Sequence, residues 1–141
     1  MLQDLSKLDA VAVVNAFKSG TVAPAAYAEA LADRAAQHST LNALQSFDAN
    51  TVIRSASTAF DAAPDGLLAG LPVVAKNNIN TTSFPTTGGT GALQGHTTAT
   101  NAGVVSRIMG AGGFIGAKAN MHELAFGITS NNAVTGPVHN P

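Results

Sequence analysis

A short apolar run that ends in a lysine constrains the fold of this chain more than any other feature. Residues 70–76 read Gly-Leu-Pro-Val-Val-Ala-Lys, and Asn-rich turn residues follow at 77–80. An apolar run with β-branched residues at its centre, bounded by Gly, Pro and turn residues, predicts a buried strand. The lysine at its end, Lys76, must reach water or be held by polar partners. Because the Val73-Val74-Ala75 run leads directly into a polar loop, we expect Lys76 to end a central strand with its amine turned inward. A buried lysine would favour the neutral form, which can accept a proton.

Residues 70–78 read Gly-Leu-Pro-Val-Val-Ala-Lys-Asn-Asn, and residues 85–89 read Pro-Thr-Thr-Gly-Gly. These segments resemble the amidase signature family, which reads Gly-x-Pro-x-x-x-Lys-Asp-Asn and then Pro-Thr-Thr-x-Gly around its lysine. Residues 70–78 and 85–89 follow this pattern, with Asn77 in place of the usual Asp. The order and approximate spacing agree over residues 67–141. Further matching segments stand at residues 101–105, 116–127 and 136–141.

The resemblance implies an α/β fold in which N-terminal helices precede the first strands and helices of a mixed sheet, as part of a larger amidase-signature fold. It implies a serine amidohydrolase that cleaves a small carboxylic amide, most like the arylacetic or mandelic type, through an acyl-enzyme. Lys76 would be the general base, acting through a cis-serine on a nucleophilic serine. No cofactor and no metal are implied. The acyl pocket would be lined by Ala125, Phe126, Gly127, Ile128 and Ser130.

The same resemblance implies catalytic serines that residues 1–141 do not contain. In the family both serines lie in Gly/Ser-rich segments after an Asn-Pro pair like Asn140-Pro141, and no Gly-Gly-Ser-Ser-Gly-Gly occurs here. We therefore expect residues 1–141 to be the N-terminal portion of one amidase-signature domain, inactive alone. The expected partners are a small amide substrate and the C-terminal remainder of the amidase or a second chain. Alternatives are a nicked or truncated amidase, a homo-oligomer, and an interaction module whose glycine loop contacts a partner.

Composition favours a chain whose surfaces are covered by more protein. The chain is 45% hydrophobic and only 11% charged, whereas a small soluble monomer needs more surface charge. A net charge of −1 gives no basis for binding nucleic acid or an anionic membrane. The absence of Cys excludes a disulfide scaffold, a thiolate nucleophile and a thiolate metal site. Because no apolar run has membrane-spanning length and no leader pattern begins the chain, we expect a soluble cytoplasmic protein.

Residues 1–40 have the spacing of a helical pair. Ser6 and Asp9 have capping-box spacing ahead of an apolar face, and a Ser-Gly pair at residues 19–20 supplies a stop. Pro24 is well placed to begin a second, Ala-rich helix that runs to about His38. Neither helix contains a residue pattern that indicates chemistry.

Residues 41–141 are expected to form the α/β part that carries the lysine strand. A strand, a helix and a second strand in that order predict a right-handed crossover between parallel strands. The segment 81–100 is rich in Thr and Gly and predicts a loop, while residues 121–126 have the pattern of a short helix. Expected strands are 41–47, 70–76 and 114–118, and expected helices are 49–62, capped by Asp48, and 101–109.

Residue spacing disfavours three other chemistries. The glycine run at 88–91 is not followed directly by a helix, which a phosphate cradle requires. His122 and Glu123 suggest zinc, but Phe126 stands where the second histidine of a metalloprotease motif would be. The serines lack a nucleophile-elbow motif, which leaves Ser-His-acid catalysis without support. Lys118, at the end of a strand, is expected to have a structural role by bonding backbone carbonyls.

Overall fold

The computed structural model describes residues 5–141. Helix α1 spans Ala10–Lys18 and helix α2 spans Pro24–Gln37. The Asp9 carboxylate accepts a hydrogen bond from the Ala12 N–H at 2.8 Å and so caps α1. The prediction of a capping box that starts at Ser6 is therefore wrong, because Leu5–Lys7 forms a 3₁₀ turn and the helix begins only after Asp9. Pro24 begins α2 as predicted, since its ring fits the first helical position.

Helix α3 spans Ala49–Ala62, and the predicted cap is confirmed because the Asp48 carboxylate accepts from the Thr51 N–H at 2.7 Å. Its buried residues, Val52 and Ala56, pack with Ala28 of α2. A second cluster joins the first two helices to the rest of the chain, since Phe17 and Tyr27 pack with Leu71, just before the lysine strand. Through these two clusters, the three helices pack against the sheet and the residue that precedes β2.

Three strands form the sheet, and they confirm the predicted α/β class. Strand β1 spans Leu44–Phe47, β2 spans Pro72–Lys76 and β3 spans Phe114–Ala119, in the spatial order β1-β3-β2. β1 pairs with β3 antiparallel, and β2 pairs with β3 parallel. Helix α4, Gly103–Gly110, lies between β2 and β3 in sequence, as a crossover between parallel strands requires. β3 is the middle strand, so the expectation that β2 is central is wrong for the described residues.

The two faces of the sheet are covered unequally near β2. On one face, named here the packed face, Ala75 and Ile115 lie against the buried Val105 of α4. Because successive side chains of a strand alternate, Val74 and Lys76 project to the opposite, open face. Val74 is 53% exposed there. The α2–α3 side of the open face is partly filled by Phe114, but the end that carries Lys76 is not.

Several element boundaries differ from those predicted. β1 begins at Leu44 rather than residue 41, because residues 39–41 form a 3₁₀ turn that ends at Asn42 with a φ of 53°. The predicted helix at 121–126 is a single 3₁₀ turn, Glu123–Ala125, interrupted by Leu124 with a φ of 50°. Left-handed backbone at these non-glycine positions stops regular hydrogen bonding. Among the described residues, no helix has the length and apolar character needed to cross a bilayer.

Candidate active site

Lys76 lies where the sequence predicts, at the carboxyl end of β2. Its side chain is exposed, so the expectation of an inward-facing amine is wrong for this chain. The physical reason is that β2 is an edge strand and its open face is uncovered at this end. Within residues 5–141 no side-chain or backbone group forms a hydrogen bond with the Lys76 amine. Lys76 is thus available to a group supplied from outside these residues.

Asn77 ties the end of β2 to the following loop. Its side chain is 2% exposed, and its Nδ2 donates to Thr87 Oγ1 at 2.8 Å. Its Oδ1 accepts from the Thr87 N–H at 3.3 Å, and its backbone carbonyl accepts from the Gly88 N–H at 2.9 Å. An amide donates as well as accepts, whereas a carboxylate only accepts. Asn77 therefore holds the loop through a donor bond that the family's usual Asp would not make.

The glycine loop is an internal part of the structure. Gly88 and Gly89 are both buried, and each has a positive φ, of 60° and 69°. A Cβ on Gly89 would lie 2.7 Å from the amide nitrogen of Asn132, a contact that real Cβ atoms do not make. Glycine is required here for both the conformation and the close approach. A loop buried in this way offers little surface to a phosphate or a partner.

Asn132 joins three segments that sequence reasoning left unconnected. Its side-chain nitrogen donates to the carbonyls of Gly89 at 2.8 Å and Met121 at 2.9 Å. Its oxygen accepts from the N–H groups of Val134 and Thr135, at 2.7 and 3.0 Å. No sequence pattern distinguishes the buried Asn132 from its exposed neighbour at 131, because its acceptors are distant in the chain.

The predicted pocket residues lie in one segment, 125–130, named here the 125–130 turn, which begins at the end of the 3₁₀ turn Glu123–Ala125 and connects to the Lys76 segment. The turn is joined to the glycine loop by a hydrogen bond from the Leu124 N–H to the Gly88 carbonyl, at 2.8 Å. Phe126 is 90% exposed, and Ile128 is fully exposed. Gly127 lies so close to the His122 ring that a Cβ there would overlap it. These residues, together with Ala125 and Ser130, do not enclose a pocket within the described part of the chain.

An apolar groove lies elsewhere on the open face. Its volume is about 620 Å³, and it is lined by residues of helices α2 and α3 and of all three strands. Ala32, Phe47, Val52 and Val74 are among the lining residues, whereas neither Lys76 nor the 125–130 turn takes part. The groove is therefore separate from the predicted catalytic residue, although both are on the uncovered side of the sheet.

The second lysine of the sheet, Lys118, is wholly enclosed. Its side chain is 0% exposed, and its Nζ donates to the Ile79 carbonyl at 2.6 Å, to Thr86 Oγ1 at 2.9 Å and to Thr81 Oγ1 at 3.4 Å. The expected bond to a backbone carbonyl is confirmed. Burial lowers the pKa of Lys118 from its usual 10.5 to about 8, because removal from water disfavours the charged form.

The histidine and carboxylate side chains are dispersed. In the part of the chain that the structure describes, no three His, Asp or Glu side chains lie close enough together to hold a metal ion. The Nδ1 atom of His122 is buried without a hydrogen-bond partner, beside Gly127.

Comparison with known proteins places this arrangement in a family. A model of the amidase family matches residues 26–141, and the chain belongs to that family. It is 50% identical over 74 residues to an indoleacetamide hydrolase of Allorhizobium ampelinum, which covers 52% of this chain and 16% of the relative. Over 114 residues it is 43% identical to an indoleacetamide hydrolase of Rhizobium radiobacter, covering 80% of this chain and 24% of the relative. It is also 34% identical over 134 residues to a glutamyl-tRNA(Gln) amidotransferase subunit of Deinococcus deserti, covering 94% of this chain and 28% of the relative.

Solved structures agree with the sequence matches. The chain superposes on a crystal structure of an amidase with a TM-score of 0.81 and 31% identity, over 94% of this chain and 31% of that one. A fatty acid amide hydrolase gives a TM-score of 0.85 at 19% identity, over 100% of this chain and 26% of that one, which shows the shared fold alone. The chain thus spans less than a third of the length of each relative named here.

Proposed function

We propose that this chain supplies the general base, Lys76, to a serine amidohydrolase that cleaves a small carboxylic amide. The observation that carries the proposal is the contrast between the two lysines at the end of the parallel strands. Lys118 is engaged by three oxygens inside the protein, whereas Lys76 is exposed at the strand end. A base must reach the proton that it takes, and of these two lysines only Lys76 is accessible to a reacting group.

The proposed reaction has an acyl-enzyme intermediate. Lys76 accepts a proton from the nucleophilic serine through a cis-serine, and the serine oxygen attacks the amide carbonyl. The leaving amine departs with a proton, and water then hydrolyses the ester that remains. Backbone N–H groups near the nucleophile stabilise the oxyanion. We propose that both serines and the oxyanion donors come from polypeptide other than residues 1–141, as the resemblance implies.

The proposed substrate class is an amide with an aromatic acyl part, of the arylacetic or mandelic type. Phe126 and Ile128 present exposed apolar side chains on a turn that is bonded to the Lys76 loop through Gly88. Apolar residues beside a catalytic group favour an apolar substrate portion. The names of the indoleacetamide hydrolases among the relatives support this class. With Ala125, Gly127 and Ser130, these residues would line the acyl pocket once the turn is covered.

The proposed macromolecular partner is the remainder of an amidase fold, in the same polypeptide or as a second chain. The exposed Val74 and the apolar groove on the open face support it, because exposed apolar patches mark surfaces that other protein covers. The name of one relative describes one subunit of an amidotransferase, and one structural neighbour comes from a vestigial protein complex. A homo-oligomer that uses the same face is the competing arrangement.

An activity assay of the purified 141-residue chain on arylacetamides, alone and after addition of an amidase segment that carries the two serines, tests the proposal. We expect no turnover alone, and turnover that depends on Lys76 when the serines are supplied. Mass spectrometry must exclude a longer contaminating species. Lysine-dependent turnover by the isolated chain would mean that one of its own serines is the nucleophile, and the proposed mechanism would then be wrong.

A further inference from the structure

The buried amine of Lys118 holds the segment that follows Lys76. All three of its acceptors, in Ile79, Thr81 and Thr86, belong to the loop between β2 and the glycine run. These acceptors are a carbonyl and two hydroxyls, so no carboxylate neutralises the ammonium. A buried cation without a counter-charge is costly compared with an apolar side chain of similar length. What the amine contributes in return is a fixed geometry for the loop.

A short hydrogen-bonded path connects Lys118 to Lys76. The Lys76 carbonyl accepts from the Ile79 N–H at 2.9 Å, and the Ile79 carbonyl accepts from the Lys118 Nζ at 2.6 Å. At the far end of the loop, Thr86 accepts from Lys118 at 2.9 Å and its neighbour Thr87 bonds Asn77. The loop from Lys76 to Thr87 is therefore held near both of its ends, because Ile79 and Thr86 each bond the Lys118 amine.

The two lysines act from opposite faces of the sheet. In the parallel pair, Lys118 is in register with Ala75 and Lys76 is in register with Ala119. Registered residues share a face, and successive residues alternate. Lys118 thus lies beneath the strand end, on the packed face, and never reaches the side on which Lys76 would meet a substrate.

We propose that Lys118 is a positioning residue for Lys76: it fixes the turn at the end of β2 from below, so that the exposed base keeps one orientation. This inference rests on the proposed function for the role of Lys76. The bonds themselves do not depend on it. A base that is misplaced by about 1 Å can cost on the order of a hundredfold in rate, so loss of the support should appear in the chemical step.

The first test measures local order in the 141-residue chain. Lys118→Met keeps the length of the side chain but removes the amine, and amide hydrogen exchange is then followed residue by residue. We expect the Ile79 and Gly88 amides to exchange at least about tenfold faster, while amides of α3 keep their rates. Unchanged exchange at Ile79, or a uniform increase over the whole chain, would overturn the positioning role.

A milder variant covers the case in which Lys118→Met fails to fold. Thr86→Val keeps the shape of the side chain and removes one acceptor of the amine, together with the bond that the Thr86 hydroxyl donates to the Ile79 carbonyl at 3.3 Å. It should accelerate the same amides to a smaller extent than Lys118→Met. Thr98→Val is the matched control, because its hydroxyl bonds the carbonyls of Thr81 and Thr100 but not the amine. Equal effects of the two threonine variants would overturn the proposal.

The second test uses the amide-hydrolysing form that contains this chain. With active sites counted by acyl-enzyme burst, Lys118→Met should lower kcat by about tenfold to a hundredfold and leave KM within about twofold. In Lys118→Ala, added ammonium at constant ionic strength should restore part of kcat, because it returns a hydrogen-bond donor to the three oxygens of the loop. An unchanged kcat per active site in Lys118→Met refutes the positioning role even if Lys76→Ala is inactive. An active Lys76→Ala refutes the proposed function itself and, with it, the role of Lys118.

Discussion

The two lysines at the carboxyl end of the parallel strands are one register position apart, and their surroundings are opposite. Lys118 is enclosed on the packed face with three oxygen partners, whereas Lys76 stands exposed on the open face. The packed face is covered by α4 and by the loop after β2. The open face is left uncovered near Lys76 and Val74. Residues 5–141 therefore contain the layer that supports the packed face, and they leave the proposed reaction side uncovered.

The largest expected effect is the loss of activity when Lys76 is replaced. In the amide-hydrolysing form, Lys76→Ala should lower kcat/KM for an arylacetamide by a factor of about 10² to 10⁴, because a general base is lost. The free energy of unfolding of the chain should change by less than about 0.5 kcal/mol, because the side chain is exposed. Lys18→Ala removes an exposed lysine of α1 whose Nζ donates to the Asp65 carbonyl at 3.3 Å; it is the control for loss of a lysine charge and should leave kcat/KM unchanged. A Lys76 variant within a few-fold of wild type would end the assignment.

Shortening one side chain to alanine on each face of the sheet measures how much the packing of the two faces differs. Ile115→Ala, on the packed face, should reduce the free energy of unfolding by about 2–5 kcal/mol through lost burial and a cavity. Val74→Ala, on the open face, should cost less than about 1 kcal/mol, because the side chain is half exposed. Urea denaturation of both variants checks this. A large, concentration-dependent cost at Val74 would show that a second copy covers the open face in solution.

A substitution at Gly127 tests whether the 125–130 turn is ordered although its side chains are exposed. Gly127→Ala places a Cβ into the His122 ring and should cost about 1–3 kcal/mol by overpacking. Gly110→Ala, in α4 with open space around the new Cβ, should be neutral or stabilising by up to about 1 kcal/mol. Adding His122→Ala should recover most of the loss in the Gly127 variant. If it recovers nothing, the ring is not what fixes the turn.

The smallest expected effect is a pH dependence from Lys118. Burial lowers its pKa to about 8, so between about pH 8 and pH 10.5 the unfolded chain binds a proton that the folded chain has lost. The free energy of unfolding from this group therefore rises with pH in that window, and below it the full cost of the buried charge is present. From about pH 7.5 to pH 9.5, wild type should gain about 1–2 kcal/mol relative to Lys118→Met. A constant gap in urea denaturation at the two pH values would contradict the shift.

Local signals predicted most of the elements, and tertiary contacts decided the rest. Asp48, Pro24 and the strand that ends at Lys76 could be predicted because caps, proline and apolar runs act within a few residues. The environment of Lys118 could not be derived in detail, because its acceptors lie 32 to 39 residues earlier in the chain. The exposure of Lys76 follows from the order of the strands, which no local pattern encodes.

The edge position of β2 has a further consequence, for the handling of the protein. One side of this strand has no strand neighbour within residues 5–141, so its backbone groups can template pairing with a second molecule and start aggregation. Pro72 begins the strand without a donor and Lys76 ends it with a charge, two devices by which natural edges discourage such pairing. Neutralising Lys76, by substitution or acetylation, thus removes a charge that protects the edge as well as the proposed base. Turbidity of the variant should rise with concentration sooner than that of wild type, even while each molecule stays folded.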